Sequence, residues 1–149
     1  ALPISELVLK NRVFLHGARN NDYVATFLKQ ASLFVQHSIT PNSGDAESFG
    51  VSLVEAMASE VPVVATRHNG FVDTVAHGVT GLLVAERDVD GMAEAMAEIL
   101  ANPARAAAMG AAGRRRVLEH FTIEHTRDRL RAIMGLPIAT TAVTAKEPV

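Results

Sequence analysis

The sequence predicts an α/β domain in three layers, a parallel sheet with helices on both faces. Two observations carry this. Short apolar runs at Leu33 to Gln36, Val61 to Thr66 and Leu82 to Val84 have the length and continuity of buried strands. Between and after them lie stretches with helical spacing, and strands alternating with helices imply parallel pairing through crossovers.

The elements follow in order along the chain. Arg12-Val13-Phe14-Leu15-His16 is a strand candidate, and Asp22 to Gln30 a short helix. The strand around Leu33 to Gln36 leads into a polar, acidic loop, Thr40 to Phe49, and then a helix from Val51 to Ser59. Val61 to Thr66 is the third strand, Phe71 to Ala76 a brief helix and Leu82 to Val84 the fourth strand. Asp90 to Leu100, Pro103 to Glu119 and Thr122 to Met134 read as helices. Met92, Met96, Ile99 and Leu100 form a core stripe rather than a cofactor contact.

The 149 residues suit one domain, expected over 1–134, with the small, unpatterned residues 135–149 as a flexible tail. A net charge of -2 gives no reason to expect a nucleic-acid partner. No Cys is present, so disulfide and thiolate chemistry are excluded. The apolar runs fall short of the roughly 18 residues that a membrane-spanning helix needs, and no signal peptide is visible. The cytoplasm is the expected location, with the membrane surface as an alternative. The chain opens at Ala1 without Met, as a processed or excised piece would.

The most informative stretch runs from Glu47 through Ser48, Phe49, Gly50, Val51 and Ser52 to Glu55, between a strand and the start of a helix. A loop that enters a helix through glycine offers free backbone N–H groups and the positive end of the helix dipole. Such a terminus favours a phosphate or diphosphate. Gly50 permits a positive φ or a close approach of backbone to ligand. Ionised carboxylates on either side suit sugar hydroxyls, which they accept in charge-assisted hydrogen bonds. A helix rises roughly 7 Å from Gly50 to Glu55, and three extended residues back to Glu47 add at most roughly 10 Å. The carboxylates thus fit either side of a bound nucleotide-sugar. Two plainer readings stand beside this one. Ser52-Leu53-Val54-Glu55 fits a capping box, and Glu47 can complement the helix dipole.

Glu47-Ser48-Phe49-Gly50…Glu55-Ala56-Met57-Ala58, with Pro62-Val63-Val64-Ala65-Thr66, Asn69-Gly70…Asp73 and Gly78-Val79-Thr80-Gly81-Leu82-Leu83-Val84, resembles the donor-binding half of retaining glycosyltransferases of family 4. The similarity covers roughly residues 11 to 134. It implies a Rossmann-like half of a GT-B fold, here a partial C-terminal domain. It also implies a nucleoside-diphosphate-sugar substrate, hexosyl transfer to an acceptor hydroxyl in polysaccharide or glycolipid synthesis, and no metal or other cofactor. By the same resemblance Glu47 holds the donor sugar and is the catalytic carboxylate. The backbone of Gly50, Val51 and Ser52 meets the diphosphate, and Glu55 accepts the ribose hydroxyls. Ser48, Phe49, Asn69 and Gly70 complete the donor site. Asn69 replaces the family's first glycine and Asp73 its usual glutamate.

A full member of that family has an N-terminal domain for the acceptor, and a glycine turn with an Arg and a Lys that clamp phosphate. Neither is found in this sequence, so a fragment inactive by itself is expected, with that domain and upstream segment as its partners. The alternatives are a non-catalytic nucleotide-binding or scaffold half-domain and a GT-B nucleotide-sugar epimerase.

Other motifs have simpler roles. Asp88-Val89-Asp90 spells a metal-binding triplet but precedes an apolar-periodic helix, so a helix N-cap is expected. The histidines lack metal-ligand spacing. His37 and His68 end consecutive strands on the presumed ligand side, and one of them is a candidate to line the pocket. Phe49 is expected in the core, and Arg114-Arg115-Arg116 with Arg105 on a solvated helix face.

Overall fold

The computed structural model describes residues 12–41 and 48–137. Three parallel strands form one sheet in the order β1 (Phe34–Gln36), β2 (Val63–Thr66), β3 (Gly81–Val84). The register sets Phe34 beside Val63, and Val63 beside Gly81. Among the described residues six helices accompany it: α1 (Asn21–Leu28), α2 (Val51–Ala58), α3 (Phe71–Thr74), α4 (Val89–Leu100), α5 (Pro103–His120) and α6 (Ile123–Ile133). Among the described residues no helix is long and apolar enough to cross a membrane.

The layering follows from the alternation of β2, whose four residues are all buried. Side chains point to opposite faces in turn. Val63 and Ala65 join Leu53, Ala56 and Met57 of α2, Phe71 of α3 and Val117 of α5 on one face. Val64 faces the other way, onto Leu82 of β3, Ala95 and Ile99 of α4 and Met109 of α5. Helices therefore cover both faces, as the continuous apolar pattern of the strand requires. α5 contributes to both clusters and lies against α2 and the turn that follows it, where a Cβ on Gly110 would sit 1.9 Å from the Glu60 carbonyl oxygen. Any larger residue there would push α5 away from that turn.

Local signals set the helix ends. Asn20, Asp88, Asn102 and Thr122 each cap a helix through the side-chain oxygen, and Pro103 opens α5. Of Asp88 and Asp90, either of which could have served as the expected N-cap, it is Asp88 whose Oδ1 accepts from the Gly91 amide at 2.8 Å.

The strand expected over Arg12–His16 is not formed: these residues are irregular, and Phe14 and Leu15 are 70% and 89% exposed. A strand is held by its hydrogen-bonded neighbour, and no described strand pairs with this segment. Of the expected tail, residues 138–149 lie outside the described residues.

Candidate functional site

In a parallel sheet all strands end on one edge, and the loops leaving that edge are where ligands bind in open α/β folds. Here the edge is formed by Gln36, Thr66 and Val84 with the loops that follow them. α2 starts beside it. Its N-cap, Gly50, is buried and left-handed, at φ 71° and ψ 63°, with no side-chain cap. A Cβ at Gly50 would lie 2.6 Å from Cε1 of Phe71. Glycine is thus required twice, by backbone and by space.

The first hydrogen bonds of α2 run from the Leu53 and Val54 amides to the Gly50 carbonyl, at 2.9 and 3.3 Å. The amides of Gly50, Val51 and Ser52 come before these bonds and have no acceptor within the helix. They form its electropositive mouth. Ser52 lies inside the helix, and its hydroxyl donates to Gln36 Oε1 of β1 at 2.6 Å. The capping box is therefore not built, since Gly50 holds the cap position. Glu55 is exposed and borders a groove between α1 and α2, with Asn21, Leu28 and Ser59. Glu47 lies outside the described residues.

The turn after β2 closes on the turn before α2. Asn69 takes φ 36°, a conformation in which asparagine is among the better-tolerated residues. Next to it, a Cβ on Gly70 would fall 1.9 Å from the Ser48 carbonyl oxygen. Thr74 Oγ1 donates to the Phe49 and Gly70 carbonyls at 3.2 and 2.9 Å. Ser48, Phe49, Gly50, Asn69 and Gly70 are thereby brought together. Phe49 departs from the expectation of a core residue. It is 42% exposed and meets Phe121 edge to face at 5.6 Å between centroids.

A polar network closes the strand ends. Thr66 Oγ1 accepts from the Ser38 amide at 3.0 Å and donates to the Ser38 carbonyl at 2.7 Å. Glu86, just past β3, accepts from the Thr40 amide at 2.9 Å and the Thr40 hydroxyl at 3.1 Å. Its Oε1 also lies 2.6 Å from Nδ1 of His68, which is 1% exposed. The hydrogen bond with His68, followed by that from the Thr40 amide, brings the Glu86 carboxyl down to about 2. Of the two histidines expected on this side, His68 is the buried one and His37 is exposed. The sequence reading missed Glu86 and Thr40, which lie 46 positions apart; no local pattern connects them.

The arginines depart from a merely solvated face. Arg114 donates to the Ala58 carbonyl at 2.6 Å, and Arg116 to the Thr74 and Asp73 carbonyls at 2.9 and 2.6 Å. They close the C-terminal ends of α2 and α3, where helix carbonyls lack partners and the dipole is negative. Arg105 pairs with Glu98 as an exposed bridge. Among the described residues no three of His, Cys, Asp and Glu cluster as a metal site.

Known proteins share this architecture. A family profile described as glycosyl transferases group 1 matches residues 2–116. The GDP-mannose-dependent alpha-(1-6)-phosphatidylinositol monomannoside mannosyltransferase of Mycolicibacterium smegmatis is 44% identical over 92 residues, 61% of this chain and 24% of the relative. The GDP-mannose-dependent monoacylated alpha-(1-6)-phosphatidylinositol monomannoside mannosyltransferase of Corynebacterium glutamicum is 38% identical over 128 residues, 85% of this chain and 33% of the relative. This chain therefore spans a quarter to a third of the length of these curated relatives. Among solved structures, sucrose-phosphate synthase from Thermosynechococcus elongatus matches with a TM-score of 0.75 and 32% identity, over 89% of this chain and 33% of that one. Anabaena Alr3699/HepE in complex with UDP matches with a TM-score of 0.77 and 26% identity, over 89% of this chain and 35% of that one.

Proposed function

The chain belongs to the glycosyl transferases group 1 family, and from that premise we propose that it is the donor-binding part of a longer retaining hexosyltransferase that moves a sugar from a nucleoside diphosphate to an acceptor hydroxyl. The observation that carries this reading is the uncapped start of α2 at the C-terminal edge of the sheet, with Gly50 left-handed and the Gly70 turn closed against Ser48.

The leaving group of such a transfer is a diphosphate that gains negative charge as the anomeric bond breaks. Amides already aimed at that position stabilise the charge without reorganising, and the helix dipole adds to them. The Gly50, Val51 and Ser52 amides take this role, with Ser48, Phe49, Asn69 and Gly70 shaping the mouth. Glu47 holds donor-sugar hydroxyls, and its charge offsets the positive character developing at the anomeric carbon. Glu55, one turn into α2 and exposed, accepts the ribose hydroxyls. With charge carried by amides and by basic groups elsewhere in the longer protein, the reaction proceeds without a metal ion. The relatives named for GDP-mannose and the neighbour solved with UDP support a nucleotide-sugar as donor.

Calorimetry with GDP, UDP and ADP tests the reading. Binding that is lost in Glu55→Ala supports it, and binding unchanged in that variant removes Glu55 from the site. If the full-length protein binds none of the three, a non-catalytic scaffold replaces the transferase.

A further inference from the structure

Glu86 belongs to none of the groups assigned above, yet its carboxylate joins the ends of all three strands. Thr40, four residues past β1, gives it both an amide and a hydroxyl hydrogen bond, and His68, two residues past β2, gives it the ring. Glu86 itself lies two residues past β3. Its side chain is 26% exposed while His68 is buried, so the cluster sits at the surface of the edge with its imidazole beneath.

Two chains of contact lead from this carboxylate to the mouth of α2. The first passes through His68, whose ring meets Phe71 edge to face at 5.6 Å between centroids. Phe71 in turn fills the space beside Gly50 that a Cβ would need. The second passes through the β1 exit: Glu86 holds Thr40, Thr66 holds Ser38 by two bonds, and Gln36 takes the Ser52 hydroxyl at 2.6 Å. Gly50 and Ser52 bound the three amides of the mouth. Both ends of that short segment are therefore tied, through different neighbours, to one carboxylate.

We propose that Glu86 is a positioning residue of the donor site, acting through His68 and Thr40 to fix where the Gly50–Ser52 amides point; this rests on reading that mouth as the donor site. Amides that stabilise a diphosphate must already be aimed when it arrives, and small displacements of such groups weaken binding and catalysis together. A carboxylate is well suited to the task, since charge-assisted hydrogen bonds are shorter and about twice as strong as neutral ones. Glutamine in its place keeps the shape. It loses the charge, and its amide nitrogen has no lone pair to offer the Thr40 hydroxyl or amide.

The test uses the full chain, with GDP-mannose and UDP-glucose as probes. In Glu86→Gln, amide hydrogen exchange of residues 37–40 should rise by about tenfold as the anchored loop opens. The dissociation constant for the nucleotide-sugar should rise by roughly fivefold as the mouth loses its aim. Met109→Ala, a change in the cluster on the other face of the sheet, serves as the control for general destabilisation. It should lower Tm at least as far and leave the affinity unchanged. Thr40→Val, at an exposed position, removes only the hydroxyl bond and should move exchange and affinity the same way by less, which keeps the test decisive if Glu86→Gln folds poorly. Unchanged exchange at 37–40 overturns the proposal, as does faster exchange with unchanged affinity. If Met109→Ala weakens binding equally, the effect is loss of stability and the positioning role falls. If the parent protein binds neither probe, the donor reading fails and takes this proposal with it; a parent that binds and a Glu86→Gln variant that binds equally well remove the positioning role alone.

Discussion

Ser48 and Gly70 are in backbone contact. The Ser48 carbonyl oxygen fills the place where a side chain on Gly70 would begin, 1.9 Å from an ideal Cβ. Since Gly70 has a φ of -62°, an ordinary value for any residue, glycine is needed there for space and not for backbone freedom. The loop after β2 can thus lie directly on the loop before α2, and the mouth of α2 is formed by both.

Gly70→Ala must therefore displace the Ser48 turn. Forcing a methyl group into a filled contact costs about 1–3 kcal/mol. Denaturant unfolding should show that loss, and calorimetry should show weaker GDP binding in the same variant. Full affinity in a folded Gly70→Ala protein would separate this turn from the donor site.

Gly50→Ala is expected to be worse. The left-handed φ of 71° disfavours any Cβ by roughly 1–2 kcal/mol, and the methyl group would also meet Phe71 at 2.6 Å. The variant should unfold at lower denaturant than Gly70→Ala, since two penalties act on one atom.

Acid should loosen the strand ends through Glu86. Its carboxyl is depressed from 4.5 to about 2 by the hydrogen bonds from His68 and Thr40. A depressed carboxyl adds stability above its unfolded value, and that contribution disappears as pH falls through the folded value. The loss should run from about pH 5 down to about pH 2. Glu86→Gln should remove this part of the pH dependence, so unfolding midpoints of parent and variant should differ most near neutral pH and converge in acid. Parallel curves across that range would show that Glu86 does not carry the effect.

Asp88→Ala removes the cap of α4 and should cost about 1 kcal/mol. Donor affinity should not change, because the carboxylate is spent on the Gly91 amide at 2.8 Å. Weaker donor binding in this variant would return the Asp88-Val89-Asp90 triplet to consideration as part of the site.

Much of the fold was legible because the relevant signals are local. Val63 to Thr66 carried the continuous apolar pattern of a strand covered on both sides, and the structure buries all four residues. Gly50 marked the entry to α2, and Asp88 the entry to α4. Arg12–His16 had the same apolar character without becoming a strand, since pairing depends on a neighbour that composition does not specify. Phe49 and Arg116 show the same limit at the level of side chains. One lies half exposed against Phe121, and the other was drawn to the α3 carbonyls, that of Thr74 being 42 positions earlier in the chain.

The sequence by itself determined the order of strands and helices from Asn21 onward, the glycine entry to α2 and the family to which the chain belongs. These rest on hydrophobic period, backbone freedom and motif, each a property of neighbouring residues. Tertiary structure alone decided that Ser52 would bond Gln36 rather than cap a helix, that Gly70 would touch Ser48, and that Glu86 would gather Thr40 and His68. Those contacts arise only when parallel pairing brings three strand ends to one edge, and residues far apart in the chain then compete for the same donors and the same space.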